Sequence, residues 1–343
     1  MSATTAEPVK PIDRVADLPT PSDDVRDEAA DQLAADYFAT APPAPISTAN
    51  PHNPMTADHI EQYREEGYTI VKNVFGEHDI AQMATAIERW KFFGNLLGRT
   101  WRKQNTIIWV EDAHRETAPT EQGHAPQVTV RGMQWPSYHD PVLDHYRVDP
   151  RMLMILEPLI GNDIKQIINQ VHWKKPGSKV TWPLHRDVRS RQPVEDFRDL
   201  SNAWVQTGIA IDPHRAENGA MKVVPGSHKD FTADPRNKDL YNVPHYNDDP
   251  RIKDVVLDPG DVALWSAYTV HGGGFNTTEF MDRRLYINGF ITADKCDRGE
   301  WAFRAGRTVH LHGKPALIQF NEVDTVADAF YAQDRNRVEK VSD

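Results

Sequence analysis

Three residues in the second half of the chain have the types and spacing to hold a metal ion. His185-Arg186-Asp187 sets an imidazole and a carboxylate two positions apart, which on a strand puts both on one face. A second histidine from a distant strand would complete a two-histidine, one-carboxylate face with three coordination positions open. That arrangement suits non-haem Fe(II) that must bind both a co-substrate and O₂. His271, in Val270-His271-Gly272-Gly273-Gly274, is the candidate, and its three glycines permit close approach of a small ligand to the backbone. Arg283-Arg284 follow twelve and thirteen residues later. An arginine on the next strand, facing the same cavity, can hold a carboxylate bidentately.

The histidine–aspartate spacing is weak by itself, because the chain carries it twice. The other copy, His228-Lys229-Asp230, follows the turn Pro225-Gly226-Ser227 and reads as a strand-end turn. Two further mimics fail on missing partners. His271-Gly272-Gly273-Gly274 looks like a lipase oxyanion loop, but the chain has no G-x-S-x-G. His185-Arg186-Asp187 looks like a kinase catalytic loop, but there is no D-F-G and Gln192 stands where an Asn is required.

The elements that must position these residues are legible in the pattern. Thr56 can N-cap a helix to about Glu66, Gly67 punctuates, and Tyr68–Val71 reads as a strand. Further helices are expected over about Glu77–Trp90 and Met152–Ile160. Strands follow at Gln166–Lys174, Leu184–Val188, Ala203–Ile211, Met221–Val224, Val262–Ser266 and Arg284–Thr292. Pro176-Gly177, Glu217-Asn218-Gly219, Pro225-Gly226 and Pro259-Gly260-Asp261 supply the turns. Short strands with helices mostly N-terminal to them predict an α+β, mainly β chain: a jelly roll with a helical flank. Two insertions, about 98–150 and 229–254, interrupt the pattern. The first scatters Trp101, Trp109, Trp135, Tyr138 and Tyr146 without a period and reads as loops folded over something, a candidate substrate lid.

Taken together these residues resemble a family. His185-Arg186-Asp187, the stretch from Ala210-Ile211-Asp212 through Glu217-Asn218-Gly219 to Val223-Val224-Pro225-Gly226-Ser227-His228, Pro259-Gly260-Asp261, His271 with Asn276, and Arg283 are similar to the phytanoyl-CoA-dioxygenase-like branch of the Fe(II)/2-oxoglutarate dioxygenases. The Thr56–Val74 opening is similar too. The resemblance covers about residues 55–295.

It implies a double-stranded β-helix, cupin-like core, with iron held by His185, Asp187 and His271. It implies 2-oxoglutarate and O₂ as co-substrates, release of succinate and CO₂, oxidation of an unactivated C–H bond, and stimulation by ascorbate. Arg283 is preferred over Arg284 as anchor for the distal carboxylate of 2-oxoglutarate. By analogy the strand Ile167–Lys175 lines the cavity, and alternation turns Asn169, Val171 and Trp173 inward, Asn169 as an extra 2-oxoglutarate contact. In related iron halogenases the carboxylate position is small; Asp187 therefore favours hydroxylation over halogenation.

Trp173 and Trp204 lie on strands expected to face the cavity and are candidate substrate walls. Arg131 and Gln134 are further cavity candidates. Arg186, with Arg189, Arg191 and Arg198, reads either as a solvated basic loop or as an attractor of an anionic small-molecule substrate. Two other functions compete. One is a non-redox metal-dependent hydrolase or isomerase on the same fold, which leaves Arg283 without a task. The other is a non-catalytic small-molecule binding protein.

Composition bounds these readings. The chain has 343 residues and a net charge of −11, which argues against nucleic acid as a partner. Its single cysteine, Cys296, excludes a disulfide framework or a Cys-rich metal site. No apolar stretch is long enough to span a membrane, and an acidic start without an apolar core predicts no secretory signal, hence a cytoplasmic protein. Oligomeric state is left open. Residues 1–54 hold nine of the 25 prolines, no glycine, and nine acids against three bases. They read as a flexible Pro/acid-rich arm, with a short helix over about Asp23–Phe38 as the alternative. Residues 55–343 are expected to form one domain.

Overall fold

The computed structural model describes residues 28–43, 54–103, 105–112, 128–178, 181–190, 194–230 and 243–311. Helices α1 (Glu28–Ala39) and α2 (Ala57–Glu66) precede strand β1 (Tyr68–Val71) and the long helix α3 (Glu77–Leu97). Strands β2 (Trp101–Lys103), β3 (Thr106–Asp112) and β4 (Val128–Gln134) follow, then helices α4 (Pro141–Arg147) and α5 (Pro150–Ile160). The remaining elements are β5 (Ile164–Lys174), β6 (Trp182–His185), α6 (Leu200–Ala203), β7 (Trp204–Ala210), β8 (Met221–Val223), β9 (Lys253–Asp254), β10 (Val262–Ser266), β11 (His271–Gly273), β12 (Arg283–Thr292), β13 (Glu300–Arg304) and β14 (Arg307–Thr308).

Local chemistry sets the boundaries. Thr56 caps α2 with its hydroxyl on the His59 amide, the His59 ring accepts from the Thr56 amide, and Gly67 ends the helix at φ 78°. Asp149 and Pro150 open α5, with the Asp149 carboxylate on the Arg151 amide.

The strands form two antiparallel sheets. The larger runs β1-β10-β7-β12-β5-β4-β3-β2, with β13 also on β5; the smaller runs β6-β11-β8-β9. One core lies between the sheets and takes Tyr68, Ala210, Trp265, Leu285 and Ile287 from the large sheet and Met221 and Val223 from the small one. A second core fills the outer face of the large sheet, where Val171, Ile209, Leu264 and Tyr286 pack with Met83, Ile87, Trp90 and Phe93 of α3. This is the expected jelly-roll core with a helical flank.

Two expectations are corrected. The stretch 98–150 is not a set of loops: its described residues extend the large sheet as β2–β4, paired to β5 through Gly132, Met133 and Gln134. The arm read as flexible contains α1, docked through Ala30, Ala34 and Phe38. Phe38 tilts against Trp90 at a centroid distance of 4.2 Å, and Trp101 donates to Asp31 at 2.9 Å. Three small or aromatic residues four apart are enough to seat a short helix that propensity alone would not hold. The rest of the arm and the centre of the second insertion lie outside the described residues.

Candidate metal centre

β6 and β11 pair antiparallel with His185 directly opposite His271. Asp187 is not on the strand. It opens a 3-10 turn just after β6, and that turn, rather than strand alternation, swings the carboxylate back toward the histidines. His185 Nε2 lies 3.6 Å from Asp187 Oδ1 and His271 Nε2 lies 3.4 Å from Asp187 Oδ2. One donor atom from each of the three falls within 4.8 Å of the others.

The histidines are held in the tautomer that a metal requires. His185 Nδ1 is 2.7 Å from the Pro183 carbonyl, and His271 Nδ1 is 2.9 Å from the Thr269 carbonyl. A carbonyl only accepts, so both Nδ1 atoms carry the proton and both Nε2 lone pairs face Asp187. Burial pushes the His271 imidazole down to about 4, against the pull of Asp187, so it is neutral near pH 7. Burial would raise Asp187, but His271, His185 and the Gln206 amide outweigh it and hold the carboxyl well below its usual range. Neutral imidazoles and an ionised carboxylate are what divalent iron needs, so the residues present fit the ion.

Asp187 has outer partners that spacing could not show. Gln206 of β7 donates to Oδ2 at 2.8 Å, and Trp265 of β10 reaches the same oxygen at 3.4 Å. Gly289 leaves room for Gln206, since a Cβ there would sit 2.2 Å from its Oε1.

Register identifies the inner face of the large sheet. Arg283 pairs with Lys174, Leu285 with His172 and Ile287 with Gln170 on β5; Gln170 pairs with Gln134 on β4. Leu285 and Ile287 belong to the inner core, so Arg283, Lys174, His172, Gln170 and Gln134 face inward. Arg283 is buried, its Nε has no partner, and burial lowers its guanidinium to about 10, Asp212 opposing. Arg284 faces outward and grips Asp212 bidentately at 2.8 and 2.6 Å, which separates the two arginines.

Alternation on β5 therefore runs opposite to expectation. Asn169 faces the helices, where it donates to Tyr286 and Asn288 and accepts from the Ser137 amide. Trp173 is also outside, donating to Asp282 at 2.8 Å under Lys91 and Arg284. Neither joins the cluster. Trp204 faces inward but is fully buried in the inner core. Gln134 is inward and buried; Arg131 sits at the bulge between β3 and β4, close enough to Lys174 to disfavour its charge. Arg186 is not aimed at ligand: it is buried, donating to the carbonyls of Tyr268 and Ser227 and to the Tyr246 hydroxyl. Arg198 pairs with Asp297 at the surface, and the Arg189 side chain and Arg191 lie outside the described residues.

The residues missed are His172, Lys174, Trp182, Gln206 and Gln170. His172 stacks on Trp182 at 4.7 Å with the planes 4° apart, beside the metal ligands. Burial first, then Arg283 and Lys174, push its imidazole down to about 3. His228, with the spacing of a second metal motif, is structural: its Nε2 meets the Arg64 carbonyl at 3.1 Å.

The family model for phytanoyl-CoA dioxygenase matches residues 63–285. The chain is 27% identical over 282 residues to the dioxygenase lolE1 of Epichloe uncinata, covering 81% of this chain and 99% of that one. It is 26% identical to the peroxisomal phytanoyl-CoA dioxygenase of Mus musculus, covering 72% and 69%. It is 24% identical to a probable alpha-ketoglutarate-dependent hypophosphite dioxygenase of Stutzerimonas stutzeri, covering 70% and 80%. Among solved structures, iron-bound EctD from S. alaskensis shares the fold at TM-score 0.54 and 17% identity, covering 81% and 91%. The carbocyclase SnoK shares it at TM-score 0.52 and 20% identity, covering 78% and 96%. The chain belongs to the phytanoyl-CoA dioxygenase family and is an iron- and 2-oxoglutarate-dependent dioxygenase.

Proposed function

We propose that His185, Asp187 and His271 hold Fe(II), that Arg283 anchors the distal carboxylate of 2-oxoglutarate, and that the enzyme hydroxylates an unactivated C–H bond of a small molecule. The observation that carries this reading is a pair of features from the two sheets, the ligands of β6 and β11 and Arg283 of β12, with His172 close enough to feel the charges of both. A three-donor cluster lies within 4.8 Å, and near it stands a buried arginine whose Nε has no partner.

When bound, iron and 2-oxoglutarate supply the oxidising chemistry, with succinate and CO₂ released as one oxygen atom goes to the substrate. The chain's own residues do the positioning. The Pro183 and Thr269 carbonyls orient the imidazoles. Gln206 fixes one carboxylate oxygen of Asp187, and the carboxylate with the two Nε2 atoms would hold the ion. Arg283 offers a buried positive charge that a hydrolase or isomerase on the same three ligands would not use. The stacked His172–Trp182 pair and Gln134 form the wall for the organic substrate.

Arg186 is tied to Tyr268, Ser227 and Tyr246, and Arg198 pairs with Asp297, so neither supports an anionic substrate. The relatives' names span a hypophosphite dioxygenase, phytanoyl-CoA dioxygenases and an ectoine dioxygenase. The substrate of this enzyme is a small molecule. Among the described residues no helix is long and apolar enough to cross a membrane.

The test is anaerobic purification with Fe(II) and 2-oxoglutarate, then a screen of small molecules for substrate-triggered succinate release in air, with ascorbate present. Release triggered by an organic compound, with a mass gain of one oxygen in that compound, is the expected result. Turnover of a compound without 2-oxoglutarate and O₂ would overturn the reading.

A further inference from the structure

Lys174 ends β5 directly opposite Arg283 on β12, on the same inner face. Both side chains are buried, Lys174 at 2% and Arg283 at 3% exposure. Like charges opposite each other on a sheet repel, and burial removes the water that would screen them. The nearest acid felt by Arg283 is Asp212, and that carboxylate is gripped by Arg284. Lys174 itself is disfavoured as a cation by burial, Arg283 and Arg131. Two buried basic groups facing one another, with the acid that Arg283 feels engaged by Arg284, form a receptor for an anion, whose charge would hold Lys174 as the ammonium.

The surroundings are built around the Lys174 head. Its Nζ donates to the Gly274 carbonyl, and Asn276 ties the Lys174 carbonyl to the same loop. Gly273 makes room: a Cβ there would stand 3.1 Å from Nζ. An ammonium has three N–H donors, and the carbonyl takes one.

We propose that Lys174 is a second cationic contact for the distal carboxylate of 2-oxoglutarate, and that the Lys174–Arg283 pair makes the pocket selective for a dicarboxylic 2-oxo acid. This rests on the reading of Arg283 as the co-substrate anchor. Arg283 supplies planar, bidentate geometry; Lys174 supplies a point charge from the adjacent strand.

The experiment is calorimetric titration of the Mn(II)-loaded protein with 2-oxoglutarate and, separately, with 2-oxovalerate, which has the same chain length and no distal carboxylate. Wild type should bind 2-oxoglutarate more tightly. Lys174→Met should weaken 2-oxoglutarate by about tenfold or more, the scale of one charge-assisted hydrogen bond, and leave 2-oxovalerate within about twofold. Lys174→Arg should restore much of the loss. Lys174→Gln, which keeps a donor for the Gly274 carbonyl, should reproduce the selective loss and serves if the methionine variant does not fold. Equal weakening of both acids would make Lys174 a purely structural tie and overturn the proposal, as would unchanged 2-oxoglutarate affinity. Wild-type protein that binds neither acid would overturn the 2-oxoglutarate reading itself, and this inference with it.

Discussion

His185 and His271 stand directly opposite each other on β6 and β11, their ring centroids 4.3 Å apart. Each is pinned through Nδ1 to the carbonyl two residues before it. The metal centre is thus a property of one strand pair and one turn. It depends on the large sheet only through the residues that steady Asp187.

Gln206 is the most direct of those. Gln206→Leu keeps the shape and removes the amide that donates to Asp187 at 2.8 Å. Loss of such an outer hydrogen bond typically costs 10–100-fold in metal affinity. Competition titration of Fe(II) or Mn(II) against a chelator should show a drop in that range with the fold intact. Unchanged affinity would remove Gln206 from the account.

Gly289→Ala should damage the same site from behind. The added methyl would meet Gln206 Oε1 at 2.2 Å and Ile168 Cβ at 3.0 Å. Ile168 Cβ is bonded directly to its strand backbone and cannot yield as the end of a flexible side chain can, so Gln206 must move. Overpacking of this kind costs about 1–3 kcal/mol. A lower urea midpoint together with weaker metal binding is expected; a loss of stability alone would show that Gln206 re-seats.

Arg283 and Arg284 are adjacent and do different work. Arg283→Met should lower 2-oxoglutarate affinity by roughly 10–100-fold, the scale of charge-assisted hydrogen bonds, with little change in metal affinity. Arg284→Met should leave co-substrate affinity close to wild type and lower stability instead, because it strands the partly buried Asp212 carboxylate. Calorimetry and urea unfolding on the two variants check the division, and reversed phenotypes would refute it.

Acid should destabilise the metal-free protein above the usual carboxylate range. His271 and His172 titrate at about 4 and about 3 in the folded state against 6.5 in an open chain, burial being the main cause. His214 is also pushed well below 6.5, again chiefly by burial. The unfolded chain therefore binds more protons below about pH 6.5, and stability falls as pH drops from there toward 4. Asp187, held low, extends the loss to more acid pH. The urea midpoint should decline between pH 7 and pH 5. His172→Gln should flatten part of the slope, and a midpoint independent of pH from 7.5 to 5 would contradict these environments.

What the chain revealed beforehand follows physical locality. Turn chemistry and apolar pattern placed β10 at both ends, α2 and β1 throughout, and β7 and β12 within a residue at each end. The metal ligands were readable because their types and flanking turns are local. The inner face of β5 was not. Alternation defines two faces, but only the pairing of β5 with β12, whose Leu285 and Ile287 enter the core between the sheets, says which one is inside. The sheet extension was hidden by its aromatics, although Thr106-Ile107-Ile108-Trp109-Val110 is a strand-forming run. The docked helix α1 was diluted by averaging composition over the whole proline-rich arm. Gln206 carries no local signal at all, since its role exists only once β7 passes behind the turn that holds Asp187.

The most direct test of the central claim is succinate formation from 2-oxoglutarate by wild type and Asp187→Ala, assayed with Fe(II) in air and again without oxygen. Wild type should form succinate only with both iron and O₂, and Asp187→Ala should form none above the protein-free control. Succinate formation retained in Asp187→Ala, or wild-type turnover supported by Zn²⁺ without 2-oxoglutarate, would contradict the assignment of this centre.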